Sequence, residues 1–228
     1  MKYCRKRINF HQILLWFQFL FVTLQHKTES STNMAKKNQL TTSEPLKYSE
    51  YTQLLENLHK DKNYRWEMYA RLSFCTACRA SDVLNFRWDD ILNKTSVDVT
   101  EQKTGKTRHI PLNPSVQQKF KELYELLDRP DRKDYIFPSS RGDKPMTIQY
   151  VNQVLKDLKY KYKLSISHFS THTFRKTFGR YVYDTHNHSA ESLILLNKIF
   201  KHTSIQITKT YIGITQEEIS SIFDSIKF

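Results

Sequence analysis

Ser96–Leu112, SVDVTEQKTGKTRHIPL, is the stretch that sets the fold class, because the periodicity of the chain changes there. SVDVT alternates and is β-branched, KTGKT holds Gly105 in a turn, and RHIPL resumes an extended pattern. The segment reads as a β-hairpin whose turn is rimmed by Lys103, Lys106 and Arg108. On both sides of it the apolar spacing is helical. Upstream, Tyr48, Tyr51, Leu54, Leu55 and Leu58 give one helix after Pro45, a second runs from about Tyr64 to Thr76, and a third opens near Arg79. Downstream, helices are expected at about Pro114–Leu127, Thr147–Tyr162, Thr171–Tyr183, Ala190–Phe200, Ser204–Ile212 and Gln216–Ile226. The expected class is mostly α with one small antiparallel β-hairpin, an α+β arrangement.

The 228 residues suffice for a single sizeable core. Lys and Arg number 36 against 23 Asp and Glu, a net charge of +13, and a surface of that sign suits a polyanion, nucleic acid first. A 39% apolar share excludes a mainly disordered chain, and a mean hydropathy of −0.64 excludes a polytopic membrane protein. Four glycines leave little for a phosphate cradle, and neither G-x-x-x-x-G-K-[ST] nor G-x-G-x-x-G occurs, which argues against ATP or NAD. The cysteines, Cys4, Cys75 and Cys78, are odd in number and fit a reducing, cytoplasmic compartment better than a disulfide framework. Cys75 and Cys78 have C-x-x-C spacing but no second ligand pair for zinc, so both are expected to pack in helices.

Residues 1–33 read differently from the rest. Lys2, Arg5, Lys6 and Arg7 precede the apolar run Ile13–Leu24, which is short of the ~20 residues a membrane span needs, and no A-x-A site follows before Met34. An export signal, an interfacial anchor and translated upstream sequence with the true start at Met34 stay open. The leader is expected to lie outside the fold, with 34–45 as a flexible linker.

Six polar residues resist a packing explanation: Arg79, Lys103, His172, Arg175, His202 and Tyr211. In HTFRKTF, His172 and Arg175 stand three apart on a predicted helix, so one anion can meet both. Arg79 lies in CTACRASDVLNFRWDDI with Asp82 one turn later to hold its guanidinium. Taken singly, these are a solvated basic face, an ion pair and a turn lysine. Tyr160 and Tyr162, interleaved with Lys159, Lys161 and Lys163, suit stacking against a DNA backbone or, more simply, a solvated helix end.

Their joint order resembles the tyrosine recombinases, or phage integrases, from about Leu46 to Asp224. The family's T-G-x-R box, acidic residue and L-x-W-x-D-I segment are matched by Thr76-Ala77-Cys78-Arg79, Asp82 and Phe86-Arg87-Trp88-Asp89-Asp90-Ile91. Its hairpin lysine matches Lys103, ahead of Ile110-Pro111-Leu112. Its H-x-L-R-[HR]-[ST]-F box matches His172 to Phe178, and its L-G-H box with the terminal tyrosine matches Phe200-Lys201-His202 through Tyr211. Three positions depart from the pattern. Ala77 replaces a glycine, which a helical conformation there would accommodate; Lys201 replaces the glycine before His202; and Lys176 keeps the charge of the usual His or Arg.

The resemblance implies that 46–228 is a catalytic DNA breaking and rejoining domain, and that the protein is a site-specific recombinase of integrase or invertase type. It would work through a 3′-phosphotyrosine without ATP, metal or other cofactor. Arg79 and Arg175 would clamp the scissile phosphate and His202 would donate a further hydrogen bond. Tyr211 would be the nucleophile, His172 the base, Lys103 the acid and Asp82 a supporting residue. The implied partner is double-stranded DNA, bound by a homo-oligomer, a tetramer, with no membrane required. The family's usual core-binding domain has no room before Leu46, as in the short fimbrial phase-switch recombinases. A catalytically impaired DNA-binding fragment or regulator is the alternative, and a topoisomerase or nicking enzyme a third class. In the tail, Ile219, Ile222, Phe223 and Ile226 share one helical face, which in the family packs on a neighbouring protomer and otherwise would cover the chain's own core.

Overall fold

A computed structural model of the protein describes residues 43–100, 105 and 107–214. The leader 1–33, the linker up to residue 42, Lys103 and Lys106 in the hairpin turn, and the tail helix expected at Gln216–Ile226 lie outside the described residues.

The elements follow in the expected order: α1 (Tyr48–Lys60), α2 (Tyr64–Thr76), α3 (Ala80–Leu84), α4 (Trp88–Ile91), β1 (Ser96–Thr100), β2 (Thr107–Pro111), α5 (Pro114–Leu126), α6 (Ile148–Lys161), α7 (Thr173–Thr185), α8 (Ala190–Phe200) and α9 (Ile205–Tyr211). β1 and β2 pair antiparallel, with Ser96 opposite Pro111 and Thr100 opposite Thr107. Four helix starts are capped by side chains: those of Asn113, Thr147, Ser189 and Ser204 each accept a first-turn amide. Two boundaries differ from expectation. The helix opening near Arg79 is two helices, because Phe86 and Arg87 extend to meet Tyr135 and Ile136 before Trp88 turns into the core. α7 begins at Thr173 with His172 as its N-cap, so His172 stands at the mouth of the helix and Arg175 in its first turn.

The core is built around α2, whose Met68, Tyr69, Ala70 and Leu72 are all 0% exposed. Burying each of the larger of these side chains contributes about 1.5–3 kcal/mol. Tyr51, Leu54, Leu55 and Leu58 of α1 and Phe120 and Leu123 of α5 close on the same core, as does Phe174 of α7. A second, smaller cluster joins Ala77, Leu193, Leu196, Phe200 and Ile212, with Phe178 and Tyr211 against it. This cluster ties α8 and α9 to α7 and to the end of α2, and so fixes the geometry of the site.

Packing begins before Leu46. Ser43 is buried, its carbonyl accepts from Lys176 Nζ at 2.5 Å, and the Leu46 amide donates to Thr177 Oγ1 at 3.0 Å. Residues 43–45, the end of the expected linker, are therefore seated on α7. Among the described residues no helix is long and apolar enough to cross a membrane.

Candidate active site

Two helix ends frame the site. α2 stops at Ala77, with φ 50° and ψ 29°, and α8 stops at Lys201, with φ 52° and ψ 44°. Both are left-handed C-caps, positions that favour glycine because a Cβ there crowds the following carbonyl. Ala77 is thus not helical, so the condition under which alanine would easily replace glycine there is not met. Its reversal ends α2 and lets Arg79 serve as the N-cap of α3. The tight turn before His202 forms with Lys201 in place of glycine.

Arg175 spans these two ends. It is 4% exposed, donates through Nη2 to the Phe200 carbonyl at 3.1 Å and through Nη1 to the Ala77 carbonyl, and lies 4.7 Å over the Phe200 ring. The last carbonyls of a helix lack intrahelical partners and carry the negative end of its dipole, so a guanidinium suits both. Each terminal nitrogen keeps a second N–H beyond the bond to a carbonyl.

His202 and Tyr211 meet edge to face, ring centres 5.0 Å apart. His202 Nδ1 lies 3.0 Å from Thr208 Oγ1, which also accepts from Asn197 Nδ2 at 3.2 Å. The Thr208 hydroxyl thus holds one edge of the imidazole through Nδ1, and the opposite nitrogen, Nε2, is left for a second partner. Burial, then the charges of Arg175 and Arg79, push the His202 imidazole down to about 4, so it is neutral at physiological pH. The Tyr211 hydroxyl is sealed from solvent with no partner at full hydrogen-bond geometry. Burial raises its pKa, while the charge of Arg175, the approach of that guanidinium to the hydroxyl and the charge of Arg79 pull against the rise. Lys176 Nζ sits 5.1 Å from the centre of the Tyr211 ring.

The charge of Arg79 acts on His172, Arg175, His202 and Tyr211 alike. Asp82 is buried on α3, its amide donating to the Arg79 carbonyl at 2.9 Å. His172, its pKa lowered by burial and by Lys176, Arg175 and Arg79, opens onto a cleft of about 550 Å³ lined by Asn152, Lys156, Lys159, Tyr160 and His168. Tyr160 is 66% exposed beside it, whereas Tyr162 is a structural residue: its hydroxyl donates to Asp61 and accepts from Asn63. Lys103 lies outside the described residues. Cys75 and Cys78 are free; Cys78 is in the turn after α2, not in a helix, and burial raises both thiols, Cys75 to about 11.

Sequence reasoning missed Thr208, Lys176 and Arg108 as parts of this arrangement. Arg108 points into the body, its Nη1 donating to the Ile199 carbonyl at 2.6 Å, and is not on the rim of the turn. The signal was the two-residue period of RHIPL, which puts Arg108 on the same strand face as Ile110.

Residues 44–218 match the model of the phage integrase family. The chain belongs to that family, the tyrosine-type site-specific DNA recombinases. This phage integrase chain is 31% identical over 174 residues to "Probable integrase/recombinase YoeC" of Bacillus subtilis (strain 168), covering 76% of the chain and 91% of that relative. It is 30% identical to the "Probable integrase/recombinase" of Acholeplasma phage L2, over 69% of the chain but 52% of the relative, so it spans about half of that protein's length. Its fold is that of the XerH site-specific recombinase bound to palindromic difH substrate, with a TM-score of 0.61 at 20% identity over 85% of the chain and 56% of the solved one.

Proposed function

We propose that this integrase cuts and rejoins strands of duplex DNA at a specific site through a covalent 3′-phosphotyrosine, and that residues 43–228 form its catalytic domain. The observation that supports the reading best is the gathering of Arg175, His202 and Tyr211 around two helix ends, within the field of Arg79.

The Tyr211 oxygen attacks the scissile phosphorus, a P–O bond to tyrosine forms and the P–O5′ bond breaks, freeing a 5′-hydroxyl. In the five-coordinate transition state the non-bridging oxygens gain negative charge, which fixed donors must meet. Arg79 offers a planar fork, Arg175 the N–H groups beyond its carbonyl bonds, and His202 its Nε2–H. In this scheme His202 donates to the phosphate from Nε2, and neutral His172 takes the phenolic proton. Lys103 supplies the proton to the departing 5′ oxygen. The phosphotyrosine keeps the energy of the broken bond, so a 5′-hydroxyl of a second strand reverses the step without nucleotide.

Double-stranded DNA is the substrate, supported by the net charge of +13 and by the basic cleft beside His172. Strand exchange between two duplexes needs four nucleophiles, hence a tetramer on DNA. XerH is described on a palindromic substrate and lambda integrase as a dimer on a core site, both consistent with repeated protomers on DNA. The working compartment is the cytoplasm, where DNA is found and thiols stay reduced.

The test is a duplex of the DNA flanking the protein's own gene, nicked beside the cleavage point, followed by search for a detergent-resistant protein–DNA adduct. Wild type is expected to form it and Tyr211→Phe to lose it. DNA binding without any wild-type adduct would make the protein a regulator, and an adduct surviving Tyr211→Phe would move the nucleophile elsewhere.

A further inference from the structure

We propose that Arg108 is a positioning residue for strand cleavage, fixing the spacing between the two helix ends that present Arg79 and His202. Its Nη1 donates to the Ile199 carbonyl at 2.6 Å, and its Nη2 donates to the Thr76 carbonyl at 3.4 Å and lies 3.0 Å from Cys78 Sγ. Arg175 holds the next carbonyl of each turn, Ala77 and Phe200. Two guanidiniums therefore bridge the same pair of helix ends side by side, one from β2 and one from α7. Four carbonyls at negative dipole ends are gathered by two fixed positive charges.

Arg79 follows the first pair of carbonyls by two residues and His202 follows the second by two. Any change in the gap between the turns shifts both groups relative to Arg175. Arg175 alone fixes one point on each turn, whereas a second bridge fixes their relative rotation. The planar fork matters more than the charge, because a lysine ammonium has no rigid geometry with which to hold two carbonyls apart. Arg108 also makes docking of the hairpin and assembly of the clamp a single event.

The inference rests on the phosphate-clamp reading, so its test has one arm independent of DNA chemistry. Full-length Arg108→Ala and Arg108→Lys are compared with wild type in single-turnover cleavage at saturating protein, duplex affinity, thermal unfolding, and the titration of the His202 imidazole by NMR in the free protein. Both variants are expected to fold, to bind duplex within about 3-fold of wild type, and to cleave about 100-fold more slowly, the scale of a small misplacement of reacting groups. The His202 titration is expected to move up toward that of a free imidazole. Lysine restoring full cleavage would overturn the proposal in favour of charge alone. An unchanged His202 titration would overturn it, and so would loss of cooperative unfolding in both variants, which would reduce Arg108 to a stability role. Absence of a wild-type adduct would defeat the recombinase reading instead, leaving the imidazole titration to judge Arg108.

Discussion

The Thr208 hydroxyl orients His202, because it receives the Asn197 amide and sits 3.0 Å from Nδ1. Thr208→Val keeps the shape, removes that partner and leaves the Asn197 amide unmet, which costs about 1–2 kcal/mol in a buried site. Cleavage is expected to fall about 10-fold or more, by analogy with imidazoles that lose the partner of their second nitrogen. A single-turnover rate equal to wild type would show that the hold of Thr208 on His202 does not matter. Tyr211→Phe should abolish the adduct with little change in melting temperature, since what is lost is the interaction of one buried hydroxyl with the Arg175 guanidinium, which keeps its bonds to Ala77 and Phe200. The histidines also set an acid limit. His202 titrates at about 4 in the fold and near 6.5 as a free side chain, so between these values the unfolded chain binds the proton that the fold refuses. Stability is therefore unaffected above pH about 6.5 and declines as the pH falls through the window toward 4, with His172 adding in the same direction. Thermal unfolding from pH 7 to 4.5 checks this, and His202→Asn should make the decline shallower.

At the level of elements, the packing of α7 against α8 and α9 depends on one glycine. A Cβ at Gly179 would stand 2.6 Å from Ile212 Cγ2 and 2.9 Å from the Phe200 ring. Gly179→Ala gains about 1 kcal/mol of helix propensity but overpacks a closed cluster at about 1–3 kcal/mol, and repacking wins. The expected result is lower stability together with loss of adduct, because Ile212 follows Tyr211 directly and Phe200 supplies a carbonyl to Arg175. Adduct at wild-type yield would mean that α8 and α9 can part without harm. The end of α8 gives the opposite sign: Lys201→Gly relieves a left-handed side chain and should raise stability by up to about 1 kcal/mol in denaturant unfolding.

For the whole molecule, a net charge of +13 makes duplex binding a matter of phosphate neutralisation and counterion release. An interface of about six phosphate contacts loses about 10³ in affinity between 50 and 200 mM salt, and anisotropy titrations across that range should show such a slope. A flat salt response would place the basic residues away from DNA. The helices, the hairpin and the order of the site residues were legible in the chain because periodicity, caps and turn glycine act within a few residues of one another. Asn113, Thr147, Ser189 and Ser204 each mark a helix start on their own. The left-handed Ala77 was not legible, nor the inward turn of Tyr162, nor the bridge made by Arg108, because each depends on a partner brought close by packing. By itself the sequence determined which elements form and which kinds of side chain carry the chemistry. Only the tertiary structure decided that Arg175 finds a carbonyl 98 residues away, that Arg108 finds one 91 residues away, and that His202 is set between Thr208 and Tyr211. The physical reason is range: local interactions select backbone conformation, whereas the partners of a guanidinium or an imidazole are chosen by which helix ends the core presses together.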